Sequence, residues 1–145
     1  TCIQTAGSVA RERFEKVLPM VDHFLFDYKL SNPEDHKRYT GVTNQLILEN
    51  LDYLYHSEAT ITLRCPIIPG VNDTNEHFRA IHELSLKYPN LAGIELLPYH
   101  DMGKSKAQSI GLDIPFEELK TTPKEMTENW LSTLKRLGTA KATIG

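Results

Sequence analysis

The chain has 145 residues, a formal net charge of −3 and basic residues that do not cluster, which argues against a nucleic-acid-binding surface. It has no run of about 18 apolar residues, so no membrane span is predicted, and residues 1–7 lack the basic stretch and apolar core of a signal peptide. The two cysteines, Cys2 and Cys65, each stand alone in an apolar run, which favours reduced, buried thiols in a cytoplasmic protein.

Short apolar runs alternate along the chain with segments of helical periodicity, which is typical of β/α units and a parallel sheet. Four strands are predicted, at residues 1–5, 23–29, 60–68 and 91–97, and residues 140–144 favour a short fifth one. The predicted helices cover residues 10–20, 33–39 and 44–56, a segment after the capping pattern at 73–76, and a segment after a second such pattern at 122–125.

This alternating order and right-handed crossovers predict either part of a barrel or a doubly wound sheet. Four strands do not close a barrel, and the sequence opens in a strand-like segment with no cap or tail before it. We therefore expect further strands upstream, so that residues 1–145 form one part of a larger α/β domain.

Polar side chains stand at the ends of three successive predicted strands, where parallel β/α folds place their sites. In the second strand, alternation puts Asp27 and Lys29 on one face and the aromatic rings on the other: Phe24, Phe26 and Tyr28. Charges that face a barrel interior need a partner there. A ligand site and a salt bridge at the strand end are both compatible with this pair.

Arg64 lies in the middle of the third predicted strand and also requires an anion nearby. A guanidinium suits a ligand carboxylate because it can bind both oxygens at once, but a structural pair with Glu95 is an equal alternative. His100 follows Pro98 just after the fourth strand, where a histidine is more often a hydrogen-bonded loop residue than a catalyst.

Generic phosphate and metal motifs are absent from the sequence. It contains neither a Walker loop nor a G-x-G-x-x-G segment, and His77 and His82 are not spaced as an i, i+4 metal pair. We therefore predict no metal ligand in this chain.

Five segments, in order along the chain, together resemble the motifs of one enzyme family. Residues 1–7 (TCIQTAG) resemble its third-strand motif, and residues 27–29 (DYK) resemble its D-x-K motif. Residues 40–44, 64–73 and 95–103 resemble its segments T-G-V-(S/T)-N, R-x-P-x-I-P-G-x-N-D and E-L-L-P-Y-H-x-L-G. On these motifs the chain resembles the glycyl-radical-enzyme activating enzymes, which are radical S-adenosylmethionine enzymes.

The resemblance implies the C-terminal part of a partial (β/α)6 TIM-like barrel with parallel strands. In the family, the first strand carries a C-x3-C-x2-C motif that ligates a [4Fe–4S] cluster, and the second carries a G-G-E motif. Neither motif occurs in this sequence. The chain is therefore expected to begin at the third strand of the family, with the cluster ligands upstream, and Cys2 and Cys65 do not occupy cluster positions.

The activity that the resemblance implies is radical chemistry carried by the cofactors. In the family, the reduced cluster passes an electron to S-adenosylmethionine, whose carbon–sulfur bond breaks to give methionine and a 5′-deoxyadenosyl radical. That radical removes a hydrogen atom from a glycine of a partner glycyl-radical enzyme. The implied partners are this enzyme and a reductant protein such as flavodoxin or ferredoxin, and the chain alone is expected to be inactive.

Matched onto this sequence, the family motifs imply a binding site for S-adenosylmethionine formed by Asp27, Lys29, Arg64, His100, Gln4 and Thr5. Lys29 and Arg64 are expected to lie near the methionine carboxylate. Asp27 is expected to orient Lys29 or to accept a hydrogen bond from the ribose or amino group, and His100 to lie near the ribose and adenine. Many relatives have an acidic residue where this chain has Gln4, and the neutral amide weakens binding of the amino group or of any cation held there. No catalytic residue is assigned.

Two other functions remain open at the level of the sequence. One is a non-catalytic fragment that docks a partner protein through the loop at residues 99–121. The other is a barrel lyase or aldolase in which Lys29 forms a Schiff base. The neighbouring Asp27 argues against the second, because a carboxylate favours the charged ammonium over the neutral amine that attacks a carbonyl.

Overall fold

The computed structural model describes residues 1–101 and 120–145, which form one sheet and its covering helices. The strands are β1 (Cys2–Thr5), β2 (His23–Asp27), β3 (Ile61–Ile67), β4 (Gly93–Pro98) and β5 (Ala142–Ile144). The helices are α1 (Arg11–Val17), α2 (Pro33–Thr40), α3 (Gln45–His56), α4 (Asn75–Lys87) and α5 (Lys124–Leu137), with a 3₁₀ turn at Leu18–Met20.

The segment at residues 102–119 lies outside the described residues, and it contains most of the loop considered above for partner docking. Of the helices in the two described ranges, none is long and apolar enough to span a membrane.

All strands of this sheet are parallel, and their spatial order β1-β2-β3-β4-β5 is their order along the chain. A doubly wound sheet reverses its strand order and carries helices on both faces. This sheet instead winds in one direction and buries one face only. The predicted α/β class and partial TIM-like barrel are therefore confirmed.

The buried face of the sheet is apolar because alternate residues of each strand point toward the helices. Phe24 and Phe26 of β2 are fully buried, whereas Leu25 between them is only half-buried. Four helices close this face with the following buried side chains: Phe14 of α1, Ile47, Leu51 and Leu54 of α3, Phe78 and Ile81 of α4, and Trp130 and Leu134 of α5. The other face of the sheet is left for polar side chains.

Gly7 follows β1 in a left-handed conformation, with a φ of 71°. A Cβ at this position would overlap the ring of Phe26, because that ring packs directly against the turn. Only glycine meets both requirements, so the packing of Phe26 determines the residue type after β1.

The helix ends follow the sequence signals at one predicted cap and depart from them at another. Asn32 caps α2 as predicted, because its side-chain oxygen accepts hydrogen bonds from two backbone amides at 2.9 and 3.1 Å. The cap predicted from the pattern at 122–125 is wrong. Pro123 occupies the N-cap of α5, and the hydroxyl of Thr122 instead donates to the Tyr99 carbonyl at 3.1 Å.

The two cysteines lie in different environments. Cys65 on β3 is buried, as predicted, but Cys2 is exposed because it lies, like Gln4, on the face of β1 that points away from the helices. The prediction of a buried thiol is therefore wrong for Cys2.

His77, in the first turn of α4, is a buried imidazole with no hydrogen-bond partner for either ring nitrogen among the described residues. It is 2% exposed, and its ring stacks on Tyr28 with the ring centroids 5.5 Å apart. Because burial penalises the charged form, the pKa of His77 falls from 6.5 to about 4. The ring therefore packs as a neutral group that joins α4 to the end of β2.

We expect His77→Phe to remove an acid-sensitive part of the stability. The unfolded chain binds the proton more tightly than the folded one, so the contribution is complete above the unfolded pKa of 6.5 and is lost as the pH falls toward about 4. Over that window the wild type should lose about 3 kcal/mol more free energy of unfolding than the variant. Urea unfolding at a series of pH values measures this difference.

His56→Gln provides the control, because it changes an exposed imidazole and should keep the wild-type pH dependence. An identical decline in wild type and His77→Phe across the same pH window would contradict the assignment of His77 as the buried neutral group.

Candidate functional site

Three charged side chains form a row across the open face of the sheet. Asp27 on β2, Arg64 on β3 and Glu95 on β4 occupy the same register position, and each is half-buried. Arg64 and Glu95 form an ion pair, with Nε and Oε2 3.8 Å apart. The pairing that the sequence left open is thus present, although at this distance it includes no hydrogen bond.

Two atoms of the row are buried and have no hydrogen-bond partner among the described residues: Oδ1 of Asp27 and Nε of Arg64. An unsatisfied buried polar atom costs about 1–3 kcal/mol, and a charged one costs more. The two side chains are neighbours in the register, yet no ion pair within 4.0 Å joins them in the described part of the chain. An acceptor beside a donor, both without a hydrogen bond, suits a ligand that carries both charges.

Lys29 continues the same face beyond Asp27, because Tyr28 between them is buried on the helix side. The strand pairing extends this far, since the Tyr28 amide donates to the Arg64 carbonyl at 2.7 Å. Within residues 1–101 and 120–145, no carboxylate lies within 4.0 Å of the Lys29 ammonium. Its charge is therefore available to an anionic group at the carboxyl end of the sheet.

The two predicted site residues of β1 lie on different faces. Gln4 is on the open face, where its Nε2 donates to Oδ2 of Asp27 at 3.5 Å. Thr5 pairs with Phe26 in the register, and its hydroxyl accepts a hydrogen bond from the Gly7 amide at 3.0 Å. Gln4 thus contacts the charged row, whereas Thr5 holds the turn after β1.

His100 follows β4 and is exposed. It makes no hydrogen bond or ion pair with any residue that the structure describes. No such contact therefore joins it to Asp27, Lys29 or Arg64 in that part of the chain.

Three buried asparagines fasten the loops at the carboxyl end of the sheet, and the sequence patterns predicted none of these contacts. Each one donates from its side-chain amide to two backbone carbonyls in the segments that end or follow β1, β2 and β3. The acceptors are Gly7 and Val9 for Asn50, Leu30 and Ser31 for Asn44, and Lys29 and Pro66 for Asn72, at 2.7–3.2 Å. Asn44 and Asn72 lie inside motifs that the sequence did reveal, so the motifs indicated the segments but not the contacts.

The cysteines do not form a metal site. Burial, with a smaller contribution from the charge of Asp27, raises the pKa of the Cys65 thiol, so this residue is not available as a thiolate. Cys2 is exposed on β1. Among the described residues, no group of three or more His, Cys, Asp or Glu side chains could hold a metal ion. The side chains of this part of the chain therefore do not fit an iron–sulfur cluster.

Curated proteins that are similar to this chain are activating enzymes. The chain is 38% identical over 120 residues to the choline trimethylamine-lyase activating enzyme of Oleidesulfovibrio alaskensis, and the alignment covers 81% of this chain and 39% of that protein. It is 36% identical over 136 residues to the trans-4-hydroxy-L-proline dehydratase activating enzyme of Clostridioides difficile (93% and 44%). It is 31% identical over 140 residues to the pyruvate formate-lyase 1-activating enzyme of Escherichia coli (95% and 57%). The chain thus spans between 39% and 57% of the length of these three relatives.

Solved structures agree with this result. A domain of pyruvate-formate lyase-activating enzyme from Bacteroides vulgatus matches with a TM-score of 0.77 and 26% identity, over 99% of this chain and 80% of that one. A radical SAM methyltransferase from Sphaerobacter thermophilus has a TM-score of 0.65 at 16% identity, over 99% of this chain and 39% of that one, which shows a shared fold alone. None of the protein-family models matches the chain.

The sequence relatives and the fold lead to the same group of proteins. The chain is a homologue of the glycyl-radical-enzyme activating enzymes, and the part of these proteins that it matches is the C-terminal portion.

Proposed function

We propose that this chain forms the S-adenosylmethionine-binding portion of a glycyl-radical-enzyme activase. The observation that carries the proposal is that Oδ1 of Asp27 and Nε of Arg64, neighbours on the open face of the sheet, are buried and have no hydrogen-bond partner among the described residues, although Nε lies 3.8 Å from Glu95. S-adenosylmethionine ends in an amino acid, whose ammonium and carboxylate complement these two charges. The activities named for the curated relatives support the same class of function.

The two cationic side chains take the methionine carboxylate. Arg64 and Lys29 supply charge-assisted donors, which are stronger than neutral ones. Asp27 accepts a hydrogen bond from the amino group of the cofactor or from a ribose hydroxyl. The Gln4 amide already donates to Oδ2 of Asp27 at 3.5 Å, which leaves Oδ1 for the ligand.

The remaining predicted site residues are assigned to the nucleoside end and to the turn beside it. His100, exposed just beyond β4, is proposed to lie near the ribose and adenine. Thr5 lies on the other face of β1, so its proposed contribution is to hold the turn beside the site, where its hydroxyl accepts from the Gly7 amide.

When it is bound and reduced by an electron from a [4Fe–4S] cluster, S-adenosylmethionine supplies the hydrogen-atom abstraction that activates a glycyl-radical enzyme. The described residues do not fit the cluster, so we place its ligands in another part of the protein. The task of Asp27, Lys29 and Arg64 is to hold the methionine end in one orientation, which lowers the entropic cost of the reaction.

The proposed protein substrate is a glycyl-radical enzyme. The sequence motifs favour pyruvate formate-lyase, which one curated relative also names. The names of other relatives mention choline trimethylamine-lyase, trans-4-hydroxy-L-proline dehydratase and 4-hydroxyphenylacetate decarboxylase. Flavodoxin or ferredoxin is the proposed reductant, and the cytoplasm is the proposed compartment.

Lys29→Ala should weaken the binding of S-adenosylmethionine. A charge-assisted hydrogen bond contributes about 1.5–3 kcal/mol, so the affinity should fall roughly 10- to 100-fold. Titration of the ¹⁵N-labelled chain with the cofactor, followed by NMR, measures the dissociation constant even when binding is weak. In the wild type, the amide signals of Asp27, Lys29 and Arg64 should shift together.

Two controls separate binding from folding. Lys124→Ala removes the same charge from a side chain that is 90% exposed on α5, and it should bind like wild type. Phe26→Ala creates a cavity on the covered face and should lower the free energy of unfolding by about 3–5 kcal/mol, while the folded fraction keeps its affinity. Wild-type affinity in Lys29→Ala, or a loss of binding in folded Phe26→Ala, would contradict a binding site on the open face of the sheet.

This chain alone should not assemble an iron–sulfur cluster during anaerobic reconstitution. Its only cysteines are Cys2 and Cys65, and the buried Cys65 thiol stays protonated, so too few thiolates are available to one cluster. Iron and sulfide analysis, together with the visible absorption spectrum, measures the outcome. Any residual iron should disappear in Cys2→Ser. A reproducible cluster in both the wild-type chain and this variant would refute the prediction.

A further inference from the structure

We infer that Asn72 is a positioning residue for the cofactor carboxylate, because it holds the backbone of Lys29 against the end of the strand that carries Arg64. This inference rests on the proposed function. Asn72 is 3% exposed and lies in the turn between β3 and α4.

The Asn72 side chain uses both of its polar groups in this position. Its Nδ2 donates to the carbonyls of Lys29 and Pro66, both at 2.7 Å, and its Oδ1 accepts from the Ile68 amide at 2.7 Å. One side chain thus bonds to the segments that follow Asp27 on one strand and Arg64 on the next. No other residue type of similar size offers two donors and one acceptor in this arrangement.

The strands need such a bridge because their own ladder stops here. The Tyr28 amide donates to the Arg64 carbonyl at 2.7 Å. In a parallel ladder of this register, the next donor on β3 would be the amide of residue 66, and that residue is a proline, which has none. Asn72 takes over where the backbone bonds end, and it fixes the carbonyl of Lys29 instead.

The position of this carbonyl matters for the ligand because Lys29 has a long side chain and no ion-pair partner within the described residues. A flexible ammonium loses more conformational entropy on binding when its backbone is also free. A backbone held by Asn72 removes part of that cost. The effect applies to ligands with a carboxylate and not to ligands that contact only the nucleoside end of the site.

The test compares S-adenosylmethionine with 5′-methylthioadenosine, which keeps the nucleoside and sulfur but lacks the amino acid. NMR titrations of the full chain give both dissociation constants for wild type, Asn72→Asp and Asn72→Ser. We expect the Asn72 variants to lose roughly 10-fold in affinity for S-adenosylmethionine and to keep nearly all of their affinity for 5′-methylthioadenosine. Asn72→Ser keeps the measurement possible if the buried carboxylate of Asn72→Asp prevents folding.

Asn50→Ser is the matched control, because Asn50 also donates to two carbonyls at 2.7 Å, but in the loop after β1. It should lose stability and keep the wild-type preference between the two ligands. In the double variant with Lys29→Ala, Asn72→Ser should cause no further loss of that preference.

Three outcomes would overturn the inference. Equal weakening of both ligands would show that Asn72 acts only on stability, and additive losses in the double variant would show that it does not act through Lys29. Unchanged affinities for both ligands in a folded Asn72 variant would show that Asn72 does not position the cofactor carboxylate. A wild-type chain that binds both ligands equally would instead contradict the proposed function itself.

Discussion

Alternation along parallel strands separates the packed core from the proposed ligand site in this chain. On one face, Phe26 and Leu63 pack under the helices and are fully buried. On the other face stand Asp27 and Arg64, which follow these two residues in the chain and pair with each other in the register. A slip of one residue in either strand would bury a charge and expose an apolar side chain. The energy of the core therefore fixes where the charges lie.

The charges of the open face also balance one another. Asp27 and Glu95 offset Lys29 and Arg64, and the amino-acid end of S-adenosylmethionine adds no net charge to this set. The Arg64–Glu95 pair at 3.8 Å is partly exposed, so it adds little to stability by itself. The pair is made through Nε, which still has no hydrogen bond among the described residues. The proposed site is thus ready for a zwitterion rather than for a simple anion.

Local patterns were sufficient for the positions of the strands, the strand faces and the cap at Asn32, since alternation and capping act between near neighbours in the chain. They left part of a barrel and a doubly wound sheet both open, and only the family resemblance implied the barrel. Contacts between residues far apart in the chain were not predictable in this way. Thr122 has the pattern of an N-cap, but its hydroxyl bonds to Tyr99, 23 positions earlier. Asn72 reaches Lys29 over 43 positions. Cys2 is exposed because it lies on the open face of β1 with Gln4, which its apolar neighbour in the sequence does not indicate.

A crystal structure of this chain with S-adenosylmethionine tests the central proposal most directly. The account predicts that the methionine carboxylate contacts Lys29 and Arg64, and that Oδ1 of Asp27 accepts from the amino group or a ribose hydroxyl. Oδ1 of Asp27 and Nε of Arg64 would then both have hydrogen-bond partners. Cofactor bound instead in the groove between β1 and α1, which is lined by Ile3, Phe14 and the charged side chains of α1, would contradict the account. A structure at saturating cofactor in which Asp27 and Arg64 make no new contact would also contradict the account.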